Sequence, residues 1–286
     1  MTKHKKKNKP RTKRCCLSVA LDYRQRRFIA PRTSLEALFM RGKINIAIIG
    51  YGRFGRLLAE ILSSFGNIFI ISRSKLKDKK FKQINYQDLK LMDWIIPAVP
   101  ISALEKVLKK ISPLLKPGSL VMDVSSVKVY PCQWLKKYLP QEVETIGTHP
   151  MFGPDSVQNG LTGLLVVICP VRITAKKLRQ VKDIFQRLGL KVITTTPDNH
   201  DREAAKSLAL VHYLGRSLMK MKIKKQTIST LGFNRLLAVN ETVNNDTWQL
   251  FLDMQNYNPY SKKIRKDFIK SLQIIEKKIT KKNRLC

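Results

Sequence analysis

The chain has 286 residues, room for one large or two medium domains, and its 43% hydrophobic content can bury a core, which excludes a wholly disordered chain. Lys and Arg number 55 against 20 Asp and Glu, a net charge of +35 that would attract any polyanion, and no apolar run reaches the roughly 18–20 residues that cross a bilayer. The five cysteines (Cys15, Cys16, Cys132, Cys169, Cys286) form no Cys-x-x-Cys pair, so neither a disulfide framework nor a metal site is expected and a reducing, cytoplasmic compartment fits.

Residues 1–42 read as a basic leader. Lys5-Lys6-Lys7 and Lys13-Arg14 form a charge run of the kind that stays solvated and disordered. The apolar patch at 16–21 is too short for a signal-peptide core and is interrupted by Asp22. A plastid transit peptide (Arg24, Arg26, Arg27, Arg32) and a translation start at Met40 are two further readings of the same segment.

From Lys43 the pattern alternates. Residues 44–49 are apolar except Asn45, the mark of a parallel strand buried on both faces. Residues 53–65 carry helical spacing in Phe54, Leu57, Leu58, Ile61 and Leu62, and the helix stops at Gly66. A second strand is expected at 67–71, and others at 94–99, 119–124, 144–147, 164–168 and 191–195. Helices are expected at 102–111, 131–138 and 175–188. Strands alternating with helices imply an α/β, Rossmann-type doubly wound sheet that is mostly parallel. After Pro197 the strand signals cease, and 198–282 reads as helices only, with Leu208, Val211, Leu214 and Leu218 at helical spacing. The expected division is a dinucleotide-binding domain at 43–197 and a helical domain at 198–286.

Gly50-Tyr51-Gly52-Arg53-Phe54-Gly55 follows the first strand and opens the first helix, the context a G-x-G-x-x-G motif needs. Gly50 permits the tight turn, Gly52 the approach of a pyrophosphate, and Gly55 close helix–strand packing; the helix N-terminus attracts phosphate charge. About twenty residues on, where NAD-binding folds place a carboxylate for the ribose hydroxyls, the chain reads Ser72-Arg73-Ser74-Lys75. Two hydroxyls and a guanidinium fork suit a 2′-phosphate, so NADP is the expected cofactor, with NAD as the alternative. Val99, Pro100 and Ser125, at the ends of later strands, complete the expected cofactor contacts.

Asp123-Val124-Ser125-Ser126-Val127-Lys128 ends one strand, at the carboxyl edge where open sheets bind ligands. Thr148-His149-Pro150-Met151-Phe152-Gly153-Pro154-Asp155-Ser156 follows another, and its breaker residues suggest an irregular loop presenting His149. A histidine there is a candidate proton acceptor because its pKa lies near neutrality, although a structural histidine reads equally well.

These stretches, with His200-Asp201-Arg202-Glu203-Ala204, Asn234-Arg235 and the tract from Asp253-Met254-Gln255-Asn256 to Tyr260, resemble the prephenate/arogenate dehydrogenase family over about residues 43–265. The Ser-Arg-Ser after the second strand is similar to that of NADP-using plant arogenate enzymes. The resemblance implies oxidative decarboxylation in tyrosine biosynthesis. It implies His149 as acceptor of the 4-hydroxyl proton, Ser126 as the group orienting that hydroxyl, and Arg235 as the cation holding a substrate carboxylate. It also implies His212 as a substrate-facing histidine and a homodimer formed through the helical domain. Some members carry a second histidine where this chain has Ala209, which leaves prephenate versus arogenate open. A carboxylate for the arogenate amine would come from Asp155, Glu241 or Asp246. Trp248 and the 256–260 run read as packing of terminal helices. Three other readings are an imine- or pyrroline-reductase-like enzyme, a basic nucleic-acid-binding protein and a dinucleotide-sensing regulator; no specific nucleic-acid signature and no membrane segment is found.

Overall fold

Alternate residues of one strand feed two separate cores. In β1 (Ile44–Ile49), Ile46 and Ile48 pack on one face of the sheet with Leu58, Leu62 and Trp94, while Ala47 and Ile49 pack on the other with Leu104, Leu108 and Leu135. A strand apolar on both faces must lie centrally, with helices on either side. The structure is a computed structural model that describes residues 43–77 and 79–282; the leader expected at 1–42 lies outside them.

The sheet has eight strands in the order β3-β2-β1-β4-β5-β6-β7-β8. They are β1, β2 (Gly66–Ile71), β3 (Lys82–Gln83), β4 (Trp94–Pro97), β5 (Leu120–Asp123), β6 (Glu144–Pro150), β7 (Leu165–Arg172) and β8 (Lys191–Thr194). Helices α1 (Arg53–Leu62), α2 (Ile101–Ile111), α3 (Val129–Tyr138) and α4 (Ala175–Arg187) connect them. The order of β1 to β6 is that of a dinucleotide-binding fold, and the reversal between β1 and β4 opens the ligand crevice at the strands' carboxyl ends. Every pairing is parallel except β6 with β7.

That exception corrects one expectation. His149 does not sit on a loop: β6 runs on to Pro150, because antiparallel β7 pairs Ile168 with Thr148, Val167 with His149 and Val166 with Pro150. The irregular segment begins at Met151 and is tied down by Phe152, Val157 and Leu161, all buried in the first core. The two-residue strand β3 was not anticipated, since Lys82-Gln83 carries no apolar pattern.

Beyond β8 every element among the described residues is a helix: α5 (Pro197–Ala204), a π-helical turn (Ala205–Ala209), α6 (Leu210–Lys220), α7 (Leu231–Asn244), α8 (Trp248–Tyr257) and α9 (Ser261–Lys282). Among the described residues no helix is long and apolar enough to cross a membrane. Buried polar side chains in and just after α8 fasten the tail, one of them to the start of α2 and two within the tail itself. Asp253 accepts from the backbone N and hydroxyl of Ser102 at the start of α2, both at 3.1 Å, where a carboxylate also suits the helix dipole. Gln255 donates to the Ala209 carbonyl at 2.7 Å, and Asn258 to that of Asp201 at 2.8 Å. Trp248, by contrast, is exposed.

The strand ends at the crevice are fastened by one lysine. Lys128 is fully buried, and its ammonium pairs with Asp123, donates to the Thr148 carbonyl at 2.6 Å and lies 3.4 Å from the Ser125 hydroxyl. Replacing it by an isosteric apolar residue, Lys128→Met, leaves the Asp123 carboxylate buried without its cation. Chemical denaturation should then show a loss of about 3–5 kcal/mol; a loss under about 1 kcal/mol would mean that the pair is not what holds these strands.

Candidate active site

The fingerprint turn is dictated by space. Gly50 adopts φ +105°, and a Cβ there would sit 2.4 Å from the Ala98 carbonyl oxygen; one on Gly55 would sit 2.1 Å from that of Gly50. Gly52 faces no atom within 4 Å, so its surface is open to a ligand. The first N–H groups of α1 have no intrahelical acceptor and carry the positive end of the helix dipole. This is a cradle that a dinucleotide pyrophosphate fits.

The neighbouring residues divide into those left free and those already engaged. Phe54 packs against the first core and Val99 against the second, while Pro100 precedes α2. The Ser125 hydroxyl donates to Asp123 Oδ1 at 2.6 Å, so it belongs to the turn itself. Arg53 turns its guanidinium to Asp155, at 2.7 and 2.9 Å, and to the Asn245 carbonyl at 2.7 Å. Ser72 is half-buried and Arg73 and Ser74 are exposed; their side chains form no hydrogen bond or ion pair among the described residues.

β5 and β6 run in parallel with Asp123 opposite Gly147, so Ser126 and His149 emerge at the same sheet edge. His149 is 6% exposed. Its Nδ1 lies 2.9 Å from Nε2 of His200, whose own Nδ1 lies 2.8 Å from Oδ1 of Asp201. Asp201 is held in turn by the backbone N–H groups of Lys128 at 2.7 Å and Val129 at 2.8 Å. A carboxylate only accepts, so His200 donates from Nδ1; where that is the ring's one proton, its Nε2 accepts from His149. The lone pair of His149 is then on Nε2, which makes no hydrogen bond to the protein among the described residues. Burial, the adjacent His200 and the Lys128 ammonium all push the His149 pKa well below its ordinary value. The site thus holds a buried base that its surroundings keep uncharged, tied through Nδ1 to His200.

His200 and Asp201 are the pair whose role the sequence did not disclose. They stand fifty residues from His149, in a helix whose spacing marks only burial.

Among the described residues, the buried polar atoms without protein partners include the Ser126 hydroxyl and Nδ1 of His212. An orphaned buried hydroxyl at the same sheet edge as that base asks for a ligand. His212 lies on α6, its pKa pushed down to about 4 by burial and by Arg216. Its Nε2 is 3.7 Å from Asp246, whose carboxyl burial pushes up.

Arg235 lies apart from this group within one chain. Helices α6 and α7 pack with Gly215 against Val243, and His212 faces Asp246 just past the end of α7. Arg235 lies at the other end of α7, about 14 Å away along the axis at the usual helical rise. It is exposed and does not join His149 or His212.

The model for the prephenate dehydrogenase nucleotide-binding domain matches residues 72–194, and one for a TYRAAT1-like C-terminal domain matches 217–285. Arogenate dehydrogenase 1 (chloroplastic) of Arabidopsis thaliana is 34% identical over 231 residues, 75% of this chain and 36% of the relative. Arogenate dehydrogenase 2 (chloroplastic) of the same plant is 33% identical over 243 residues, 79% of this chain and 68% of the relative. The chain therefore spans about a third of the length of the first and two thirds of the second. A crystal structure of A. aeolicus prephenate dehydrogenase, with hydroxyphenyl propionate and NAD+, has the same fold. Its TM-score is 0.69 at 19% identity, covering 85% of this chain and 93% of that one. With an open glycine turn, a buried base and this degree of likeness, the chain belongs to the prephenate/arogenate dehydrogenase family.

Proposed function

We propose that the chain catalyses NAD(P)-dependent oxidative decarboxylation of a cyclohexadienyl substrate, arogenate in preference to prephenate, in tyrosine biosynthesis. The observation that carries this reading is His149, kept uncharged and tied to His200, at the carboxyl edge of the sheet where the unpartnered Ser126 hydroxyl also emerges.

The glycine turn and the α1 N-terminus would hold the pyrophosphate, and Ser72, Arg73 and Ser74 a ribose 2′-phosphate, which favours NADP over NAD. When bound, the nicotinamide supplies a hydride acceptor. Ser126 would hold the substrate's 4-hydroxyl, and Nε2 of His149 would take its proton as the ring C4–H bond gives up hydride. The C1–carboxylate bond then breaks, CO₂ leaves, and the electron pair of that bond enters the ring to complete aromaticity; the oxygen, first a carbonyl, regains a proton as a phenol.

Of the three carboxylates expected as partners for the arogenate amine, Glu241 is exposed and Asp155 is paired with Arg53. Asp246, half-buried beside His212, forms no ion pair with a Lys or Arg among the described residues and is the fitting acceptor for an ammonium. Arg235, remote from this group within one chain, is not assigned the substrate carboxylate. Helix α9 leaves Ile269, Leu272, Ile274, Ile275 and Ile279 exposed, which supports pairing of two copies through the helical tail. The relatives named chloroplastic support a plastid location.

An assay of both substrates with both cofactors tests the reading: arogenate with NADP⁺ should turn over fastest, and no reduced nicotinamide from either substrate would overturn it. Asp246→Asn should lower kcat/KM for arogenate about tenfold more than for prephenate, the order expected for a lost charge-assisted bond. His149→Asn should lower kcat by about 10²–10⁴, the general-base range. Because neutral imidazole is the active form and its pKa is depressed, kcat/KM should stay level as pH falls through 6.5 and drop only below that. A break at 6.5 would point to a solvent-exposed base instead. Sedimentation should give a dimer, and Ile275→Glu a monomer.

A further inference from the structure

We propose that Gln83 is a positioning residue for cofactor choice, fixing the segment that reads the ribose 2′-phosphate. The inference rests on the cofactor assignment made above. Residues 72–76 leave the carboxyl end of β2, the place where a dinucleotide fold meets the adenosine ribose. Three of the five, Arg73, Ser74 and Lys75, are exposed. Such a segment would sample many conformations unless something held its main chain.

One side chain holds it. The Gln83 amide nitrogen donates to the carbonyls of Ser72 and Ser74, each at 3.2 Å, and its amide oxygen accepts from the Leu76 N–H at 2.9 Å. The three bonds take main-chain groups only, so they set the path of the segment and leave the Ser72 and Ser74 hydroxyls and the Arg73 guanidinium for a ligand. The chemistry is particular to glutamine at this reach. Glutamate could accept from Leu76 but could not donate to two carbonyls, and an aliphatic residue could do neither.

Strand β3 gives Gln83 its place. It is only two residues long, pairs Ile70 with Gln83 beside β2, and is extended by a bond from the Ile84 N–H to the Ile70 carbonyl at 2.9 Å. Neither Lys82 nor Gln83 is buried, so the strand contributes little to the core. What it contributes is a register that lays one amide across the turn after β2. NADP⁺ would meet a preformed set of donors there. Without Gln83 the phosphate itself would have to order the segment, while NAD⁺, which lacks that phosphate, would lose nothing at this position.

The test measures dissociation constants of NADP⁺ and NAD⁺ by fluorescence titration for the wild-type chain, Gln83→Leu and Arg73→Ala. Gln83→Leu should bind NADP⁺ about tenfold more weakly, the scale of a few lost neutral hydrogen bonds, and NAD⁺ within about twofold of wild type. Since the side chain is exposed, its thermal midpoint should barely move. A merely structural role would weaken both cofactors together. If Arg73→Ala abolishes the preference for NADP⁺ while Gln83→Leu leaves the ratio unchanged, the role of Gln83 is overturned and the cofactor reading stands. If the wild type does not prefer NADP⁺, or Arg73→Ala weakens both cofactors alike, the cofactor reading fails and this inference with it.

Discussion

Moving an ammonium group out of water costs several kcal/mol even after the protein relaxes, so a fully buried lysine persists only where every proton finds an acceptor. Lys128 meets that condition with the Asp123 carboxylate, the Thr148 carbonyl and the Ser125 hydroxyl. Each of these acceptors lies in or just beyond a strand that ends at the crevice. The requirement that the lysine be satisfied therefore fixes β5, its turn and β6 against one another. The lysine backbone carries the constraint further, because its N–H and that of Val129 fasten Asp201 of the helical tail.

The same cation shapes the chemistry. A positive charge near His149 disfavours a second one, and burial acts in the same direction. The group that keeps the strands together thus adds, after burial and His200, to what keeps the base uncharged. Orientation is a separate matter, supplied by His200 and Asp201, and it costs little because the carboxylate has its other acceptor positions filled by main-chain donors. Cys132, whose thiol is pushed up by burial, lies against Gly147, where a Cβ would come 2.6 Å from its sulfur. The floor of the site therefore needs a glycine at that point of β6 for packing alone.

What the sequence disclosed, and what it hid, follows from the range of the interactions involved. The strand at 44–49, the glycine turn and the helix after it are local patterns, and each stands within a residue or three of its expected place. The switch to helices after 197 was equally plain, because loss of period-2 apolar runs is visible in composition. His149 was misread as a loop residue because Pro150, Gly153 and Pro154 are strong local breakers. The partner that keeps 148–150 extended, β7, pairs from some twenty residues downstream. Arg235 took its role from likeness of motif alone, and within one chain the antiparallel pairing of α6 and α7 sends that end of the helix away from His212. Gln83 left no local signal at all, since a single exposed glutamine acquires meaning only from the three main-chain groups it meets.

Arg53 marks the limit of motif reasoning in another way. It stands inside the glycine fingerprint, and its guanidinium spans the loop after β6 and the end of α7. Its ion pair with Asp155 is half exposed, 49% and 34%, so screening by water leaves it worth no more than about 1 kcal/mol. Its consequence is geometric rather than energetic. The helix that begins at the cofactor turn, the loop that follows His149 and the residues flanking Asp246 share one planar group, so the spacing between the cofactor cradle and the carboxylate assigned to the substrate amine is set by a rigid fork. A lysine there would keep the charge but lose the simultaneous hold on a carboxylate and a carbonyl. In this chain the positions that matter most to the reaction are joined by side chains bonding to main chain. That is why residue identity matters at Lys128, Asp201 and Arg53, although none of them is expected to touch the reacting atoms.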